Sequence, residues 1–237
     1  MEDELVICCM DRRLNVFLEN NYKDAIVLRN AGANVAPLMP LIKQIVRENG
    51  IRKITLITHD DCGAMAKTFS VLKENGKATE ELRLNLIEQF EKVKFTTKEE
   101  LENANTNLQL ASLKSIFPEL NVEAKPARMK DINAPKDDEH HKLLVVSPGK
   151  PSYDRIFKVL EFNPFQCYVI QASIENAMPD IELTANDLHA KEVYFIVGDN
   201  DNPRDVKRDA DMASLKLSKL DAEVKRQDIR TVRKSYA

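Results

Sequence analysis

The chain has no excess of either charge. Over 237 residues, 35 Lys+Arg stand against 38 Asp+Glu, a net charge of −3. No basic field therefore draws it to nucleic acid or to anionic lipid. No apolar run approaches the ~18 residues of a membrane span. The opening Met1-Glu2-Asp3-Glu4 lacks the basic and apolar regions of a secretory leader, so a cytoplasmic location is expected. Four cysteines are too few for a disulfide scaffold in a chain this long. Glycine is scarce, at six residues. No Gly-x-Gly-x-x-Gly follows a strand pattern, which argues against a dinucleotide fold. Neither Cys8 nor Cys9 has an Arg at the Cys-x5-Arg spacing of a thiol phosphatase loop. What is present is ordinary for a soluble globular chain: 43% hydrophobic and 31% charged residues, enough for one large domain or two small ones.

Short apolar runs rich in β-branched residues punctuate the first half. Leu5–Cys9, Ala25–Leu28 and Lys53–Thr58 read as strands. A helix is expected from about Leu38 to Asn49, stopped by Gly50, and an Ala/Met/Leu helical stretch follows Gly63. This alternation implies a parallel sheet with helices on its faces, an α/β fold, with functional groups at the carboxyl ends of strands. Residues 77–117 read as one or two charged surface helices. Val122–Met129 reads as an edge strand, which Pro126 suits. The polar stretch 131–141 is the expected linker between a first domain, 1–130, and a second, 142–237. There the pattern restarts, with strands at Leu143–Ser147, Cys167–Gln171 and Glu192–Val197. Ile7 to Ile57 and Val146 to Ile196 span the same distance, which points to an internal repeat.

Cys9, His59 and Cys62 are soft-to-borderline metal ligands at or beside two strand ends. Two thiolates and an imidazole suit zinc, and three protein ligands leave a fourth tetrahedral position open, as in catalytic sites. A lone cysteine is ordinarily a small core hydrophobe, the reading given to Cys8 and Cys167. His140 and His141, in the charged linker, read as solvated.

Three separated motifs, Cys9-Met10-Asp11-Arg12-Arg13, Arg29-Asn30-Ala31-Gly32 and His59-Asp60-Asp61-Cys62-Gly63, occur in one order. Together they resemble the β-class carbonic anhydrases, with Cys-x-Asp-Ser-Arg, Arg-Asn-x-(Gly/Ala) and His-x-x-Cys-Gly. The resemblance covers about residues 5–125. It implies zinc held by Cys9, His59 and Cys62, an Asp11–Arg13 dyad, and reversible hydration of CO2 to bicarbonate by a zinc-bound hydroxide. Zinc lowers the pKa of bound water to roughly 7. Asp11 would orient that water and Arg13 would keep Asp11 ionised; alternatively, Asp11 itself closes the fourth zinc position. Arg29 and Asn30 are expected in a loop at the site edge or in a structural turn. Gly32 would allow close backbone approach, and Gly63 close packing of a helix start. Asp60 and Asp61 are expected to cap that helix, or one of them to hydrogen-bond a ligand.

Two departures bear on function. Arg12 replaces the family's Ser, near the dyad or facing solvent, and no pocket Gln precedes Cys9. The second half has Ser147-Pro148-Gly149 and Gly198-Asp199-Asn200-Asp201 at the corresponding places, without Cys or His. It is read as a degenerate, metal-free copy acting as a built-in partner, a pseudo-dimer, with homo-oligomerisation the alternative. The alternative functions are hydrolysis of COS or CS2, and a non-catalytic, zinc-stabilised regulatory protein.

Overall fold

The computed structural model describes residues 4–132, 134, 141–199, 201–218 and 223–229. The first half contains β1 (Glu4–Cys9), α1 (Asn15–Tyr22), β2 (Ile26–Asn30), α2 (Met39–Asn49), β3 (Lys53–Ile57), α3 (Gly63–Lys73), α4 (Glu80–Leu82), α5 (Lys98–Ile116) and β4 (Asn121–Ala124). The second contains β5 (His141–Val146), α6 (Tyr153–Leu160), β6 (Cys167–Gln171), α7 (Ile174–Asp187), β7 (Ala190–Val197), α8 (Pro203–Leu217) and β8 (Glu223–Asp228).

The strands of the described residues join one sheet, in the order β4-β3-β1-β2-β6-β5-β7-β8. It is the expected α/β class, a mostly parallel sheet flanked by helices. The pairings are parallel except at the centre, where β2 meets β6 antiparallel through Arg29 opposite Gln171. Read outward from that seam, the halves run β2-β1-β3-β4 and β6-β5-β7-β8, the same order twice. Parallel strands covered on both faces show unbroken apolar runs rather than alternation. Accordingly Leu5 to Cys8 of β1 and Leu143 and Leu144 of β5 are fully buried. Cys8 and Cys167 lie in this core as expected.

Helix α2 ends where Gly50 takes a left-handed conformation at φ 63°, a conformation glycine adopts without steric cost. The edge strand is β4, but it stops at Ala124, before Pro126. The stretch 77–117 departs from the surface-helix expectation. After α4 it tightens and loosens through short π and 3-10 turns to Phe90. Then α5 starts at a Thr97/Glu100 capping box and turns polar residues inward: Glu102, Asn105 and Gln109 are all buried. Most of the 131–141 stretch, His140 included, lies outside the described residues. His141 is not solvated: it opens β5, half-buried, with its ring edge-on to Tyr168 at 5.5 Å. Its pairing with Ala190 draws it into the sheet. No helix among the described residues is long and apolar enough to cross a membrane.

Candidate metal centre

Cys9 is the last residue of β1, and His59 lies just beyond β3, beside it in the sheet. Cys62 is the N-cap of α3. Adjacent parallel strands end side by side, so ligands distant in sequence meet there. Cys9 Sγ, Cys62 Sγ and a ring nitrogen of His59 lie within 4.8 Å of one another, all three residues buried. The sulfurs are 3.9 Å apart. Two zinc–sulfur bonds of about 2.3 Å at a tetrahedral angle would put them about 3.8 Å apart.

The imidazole is oriented for a ligand. His59 Nδ1 is 2.8 Å from the Asp60 carbonyl; a carbonyl only accepts, so Nδ1 carries the proton. Nε2 lies buried beside the sulfurs without a hydrogen-bond partner among the described residues. Such an orphan is costly unless something binds it. Burial lowers the imidazole's pKa, but the Cys9 sulfur and Asp11 outweigh it and raise it to about 9, so without a metal the ring holds a second proton that a bound cation would displace. Without a metal the sulfurs share a proton: the hydrogen bond from Cys62 holds Cys9 well below the usual thiol range, and Cys62 is pushed well above it. A soft cation fits this donor set.

Asp11 stands beside the cluster, with Oδ2 3.9 Å from His59 Nε2. Arg13 grips it as a fork: Nε donates to Oδ1 at 2.9 Å and Nη2 to Oδ2 at 2.8 Å. The Arg13 backbone N–H adds a third bond to Oδ1. Burial pushes the Asp11 carboxyl up, but the Arg13 hydrogen bonds and the neighbouring positive charge outweigh it and hold its pKa at about 2. Arg13 is braced in turn by Asp61, through the carboxylate and the backbone carbonyl at 2.8 Å each. Lys98 closes on the other Asp61 oxygen at 3.0 Å.

Several expectations need correction. Asp60 and Asp61 do not cap α3. Asp60 accepts the Met129 N–H at 2.6 Å, and Asp61 belongs to the Arg13 brace, because its backbone turns left-handed at φ 53° and aims it outward. Arg29 and Asn30 are buried residues of β2, not loop or turn residues, because the strand runs on to the sheet's central seam. Arg12 does not face solvent; it lines the same cavity as the Asp11–Arg13 pair. It is buried and donates to the Phe165 carbonyl at 2.5 Å, because the second half covers it. Gly32 sits at φ 69°, and a Cβ there would lie 3.0 Å from Met65 Cε. A Cβ at Gly63 would lie 3.0 Å from Leu188.

Other residues that shape the centre carry no motif. From α5, Glu102 accepts the Cys62 N–H at 2.9 Å, Asn105 donates to the Gly32 carbonyl at 2.8 Å, and Gln109 accepts the Val35 N–H at 3.0 Å. Their three- and four-residue spacing is the only sequence signal. The second half supplies more. Val169 N–H bonds the Met10 carbonyl at 3.0 Å. Asn15 Nδ2 donates to the carbonyls of Pro164 and Cys167, and Asp180 accepts the Ala31 N–H at 3.0 Å. A cavity of about 170 Å³ opens beside Cys9, Asp11 and Arg13, and Tyr168 and Leu188 of the second half form part of its wall.

The carbonic anhydrase family model matches residues 4–146. No curated protein matches the chain. Solved structures that resemble it include a tetrameric β-carbonic anhydrase from Sordaria macrospora, 20% identical, TM-score 0.41, covering 55% of this chain and 77% of that one. A carbonic anhydrase from Glaciozyma antarctica is 21% identical, TM-score 0.35, covering 54% and 78%. A β-carbonic anhydrase of Aspergillus fumigatus is 16% identical, TM-score 0.38, covering 54% and 72%.

Proposed function

Because the chain belongs to the β-carbonic-anhydrase family, we propose that it catalyses the reversible hydration of CO2 to bicarbonate, with zinc held by Cys9, His59 and Cys62. Zinc bound there supplies the Lewis acidity that makes water nucleophilic near neutral pH. Asp11 orients the reacting water by accepting its hydrogen bond. A carboxylate whose pKa is about 2 accepts such a bond without keeping the proton, which passes to buffer. Arg13 fixes both oxygens of that carboxylate, so the acceptor is set before substrate arrives. Tyr168 and Leu188 line the same cavity as the polar groups and give an uncharged, triatomic substrate an apolar surface. The observation that carries this reading is the forked Asp11–Arg13 pair within 4 Å of the His59 ring. A zinc that served only as a structural cross-link would not need an oriented carboxylate beside it.

In this reading residues 1–130 hold the metal, 131–141 link the halves, and 142–237 form a metal-free copy that serves as a built-in partner. The repeated strand order about the β2–β6 seam supports it, as do the second-half residues lining the cavity.

The test pairs bulk metal analysis with stopped-flow CO2 hydration from about pH 6.5 to 9, on wild type and Asp11→Ala. One zinc per chain and turnover lost in the variant are expected. Stoichiometric zinc without turnover would point to a regulatory protein. Turnover of COS or CS2 in place of CO2 would keep the metal reading and change the substrate.

A further inference from the structure

Arg29 is fully buried and makes no ion pair with any described carboxylate. Its acceptors are all neutral. Nε donates to the Cys9 carbonyl at 3.1 Å, Nη2 to the Asp11 carbonyl at 2.9 Å, and Nη1 to Asn15 Oδ1 at 2.6 Å. The Tyr153 ring lies under the guanidinium, 5.2 Å from its central carbon. Taking a cation out of water without a counter-ion is costly, and carbonyl dipoles with one aromatic face return only part of that. The two residues whose carbonyls it holds, Cys9 and Asp11, also carry a sulfur of the metal cluster and a carboxylate, and their negative charge offsets the balance.

The geometry has a second consequence. The two carbonyls that Arg29 holds flank Met10, so one rigid fork fixes the peptide planes on either side of the turn that carries the Cys9 sulfur and the Asp11 carboxylate. Asn15 anchors the fork from outside. Its amide nitrogen is committed to the Pro164 and Cys167 carbonyls at 2.7 and 2.8 Å, which leaves its oxygen for Arg29. Tyr153 is held by its hydroxyl on Gln171 Oε1 at 2.6 Å. The support therefore belongs to the second half, across the central seam.

We propose that Arg29 is a positioning residue for the metal centre: a buried cation that fixes the Cys9–Asp11 turn and offsets the negative charge of the ligand set, anchored by Asn15 and Tyr153. This rests on the metal reading above. A lysine at this place would keep the charge but lose the fork.

The test titrates metal-free protein with Co2+ against a competing chelator and follows the thiolate-to-cobalt charge-transfer absorption. Folding of each variant is checked by circular dichroism and thermal melting. Wild type is expected to bind one Co2+ with thiolate bands. Arg29→Lys and Arg29→Met should lower affinity by about 10- to 100-fold, the usual effect of losing a group that orients metal ligands, and should shift the band. Asn15→Ala should fall in between. Should Arg29→Met not fold, the two milder variants decide. Folded Arg29→Lys and Asn15→Ala proteins with wild-type affinity and spectrum would overturn the proposal, even with lower melting temperatures, since that is the signature of a residue serving stability alone. Absence of cobalt uptake by wild type would bring down the metal reading, and this proposal with it. Uptake by wild type with unchanged variants brings down this one alone.

Discussion

Arg13 holds both oxygens of Asp11 in a parallel pair of hydrogen bonds, 2.9 and 2.8 Å long, while Asp61 holds Arg13 from behind. The pair is preorganised, which makes its geometry testable apart from its charge. Arg13→Lys retains a cation but cannot reach both oxygens at once. Turnover in CO2 hydration should fall about 10²-fold or more in Asp11→Asn, the usual scale for losing an oriented proton-handling group, and by less in Arg13→Lys. Zinc content should stay at wild-type level in both. Loss of zinc in Asp11→Asn would instead mark Asp11 as a metal ligand.

Cys62 contributes one of the two sulfurs. Cys62→Ser replaces a soft thiolate with a hydroxyl of much higher pKa, and zinc content after dialysis should drop sharply. Stoichiometric zinc retained by the variant would remove Cys62 from the ligand set. Cys167→Ser is the control, since Cys167 is buried in the other half and should leave zinc content unchanged.

Glu102 reaches from α5 to the backbone N–H of Cys62. Glu102→Ala strands that buried donor, a loss of about 1–3 kcal/mol, and should lower the melting temperature by several degrees. Glu102→Gln keeps an acceptor and should recover most of the loss. Equal melting temperatures for wild type and Glu102→Ala would show that the bond contributes nothing net.

The sheet was legible because its inner strands are unbroken apolar runs, and the meeting of Cys9, His59 and Cys62 was legible because adjacent parallel strands end together. The residues that brace this centre were not. Glu102, Asn105 and Gln109 sit in a helix whose polar residues far outnumber its few buried leucines, and a buried glutamine spells the same as an exposed one. Arg29 follows an apolar run, so it reads as the start of a loop or turn when it is a strand residue at the seam between two halves. Tyr168, Asp180 and Leu188 reach the centre through the β2–β6 pairing, a long-range contact with no local signature in either strand.

Gly32 follows β2 at φ 69°, and its carbonyl accepts from Asn105. An alanine there meets both the left-handed backbone cost, about 1–2 kcal/mol, and the Met65 methyl at 3.0 Å. Gly32→Ala should be destabilised by at least that backbone cost in urea unfolding. Gly50 shares the left-handed conformation but has open space around it, so Gly50→Ala should show the backbone cost alone. A larger loss at Gly50 than at Gly32 would contradict the steric argument.

Asp180 gives the clearest dependence on pH. It is buried, accepts one hydrogen bond from Ala31 N–H, and has its carboxyl raised from 3.8 to about 7, by burial first and by the Cys9 sulfur as well. Between about pH 4 and 7 the folded protein holds a proton that the unfolded chain has released. This group therefore lowers stability as pH rises through that window, and its deficit is complete above pH 7. Asp180→Asn keeps an acceptor for Ala31 N–H and cannot ionise. Wild type and variant should have similar urea midpoints near pH 4. Near pH 8 the variant should be the more stable, by up to roughly 4 kcal/mol. Comparing the two proteins at each pH removes the contributions of every other titrating group, Asp11 included, whose depressed carboxyl pulls the opposite way. An Asp180→Asn protein less stable than wild type at pH 8 would mean that the charged carboxylate on Ala31 N–H is worth more than its burial costs.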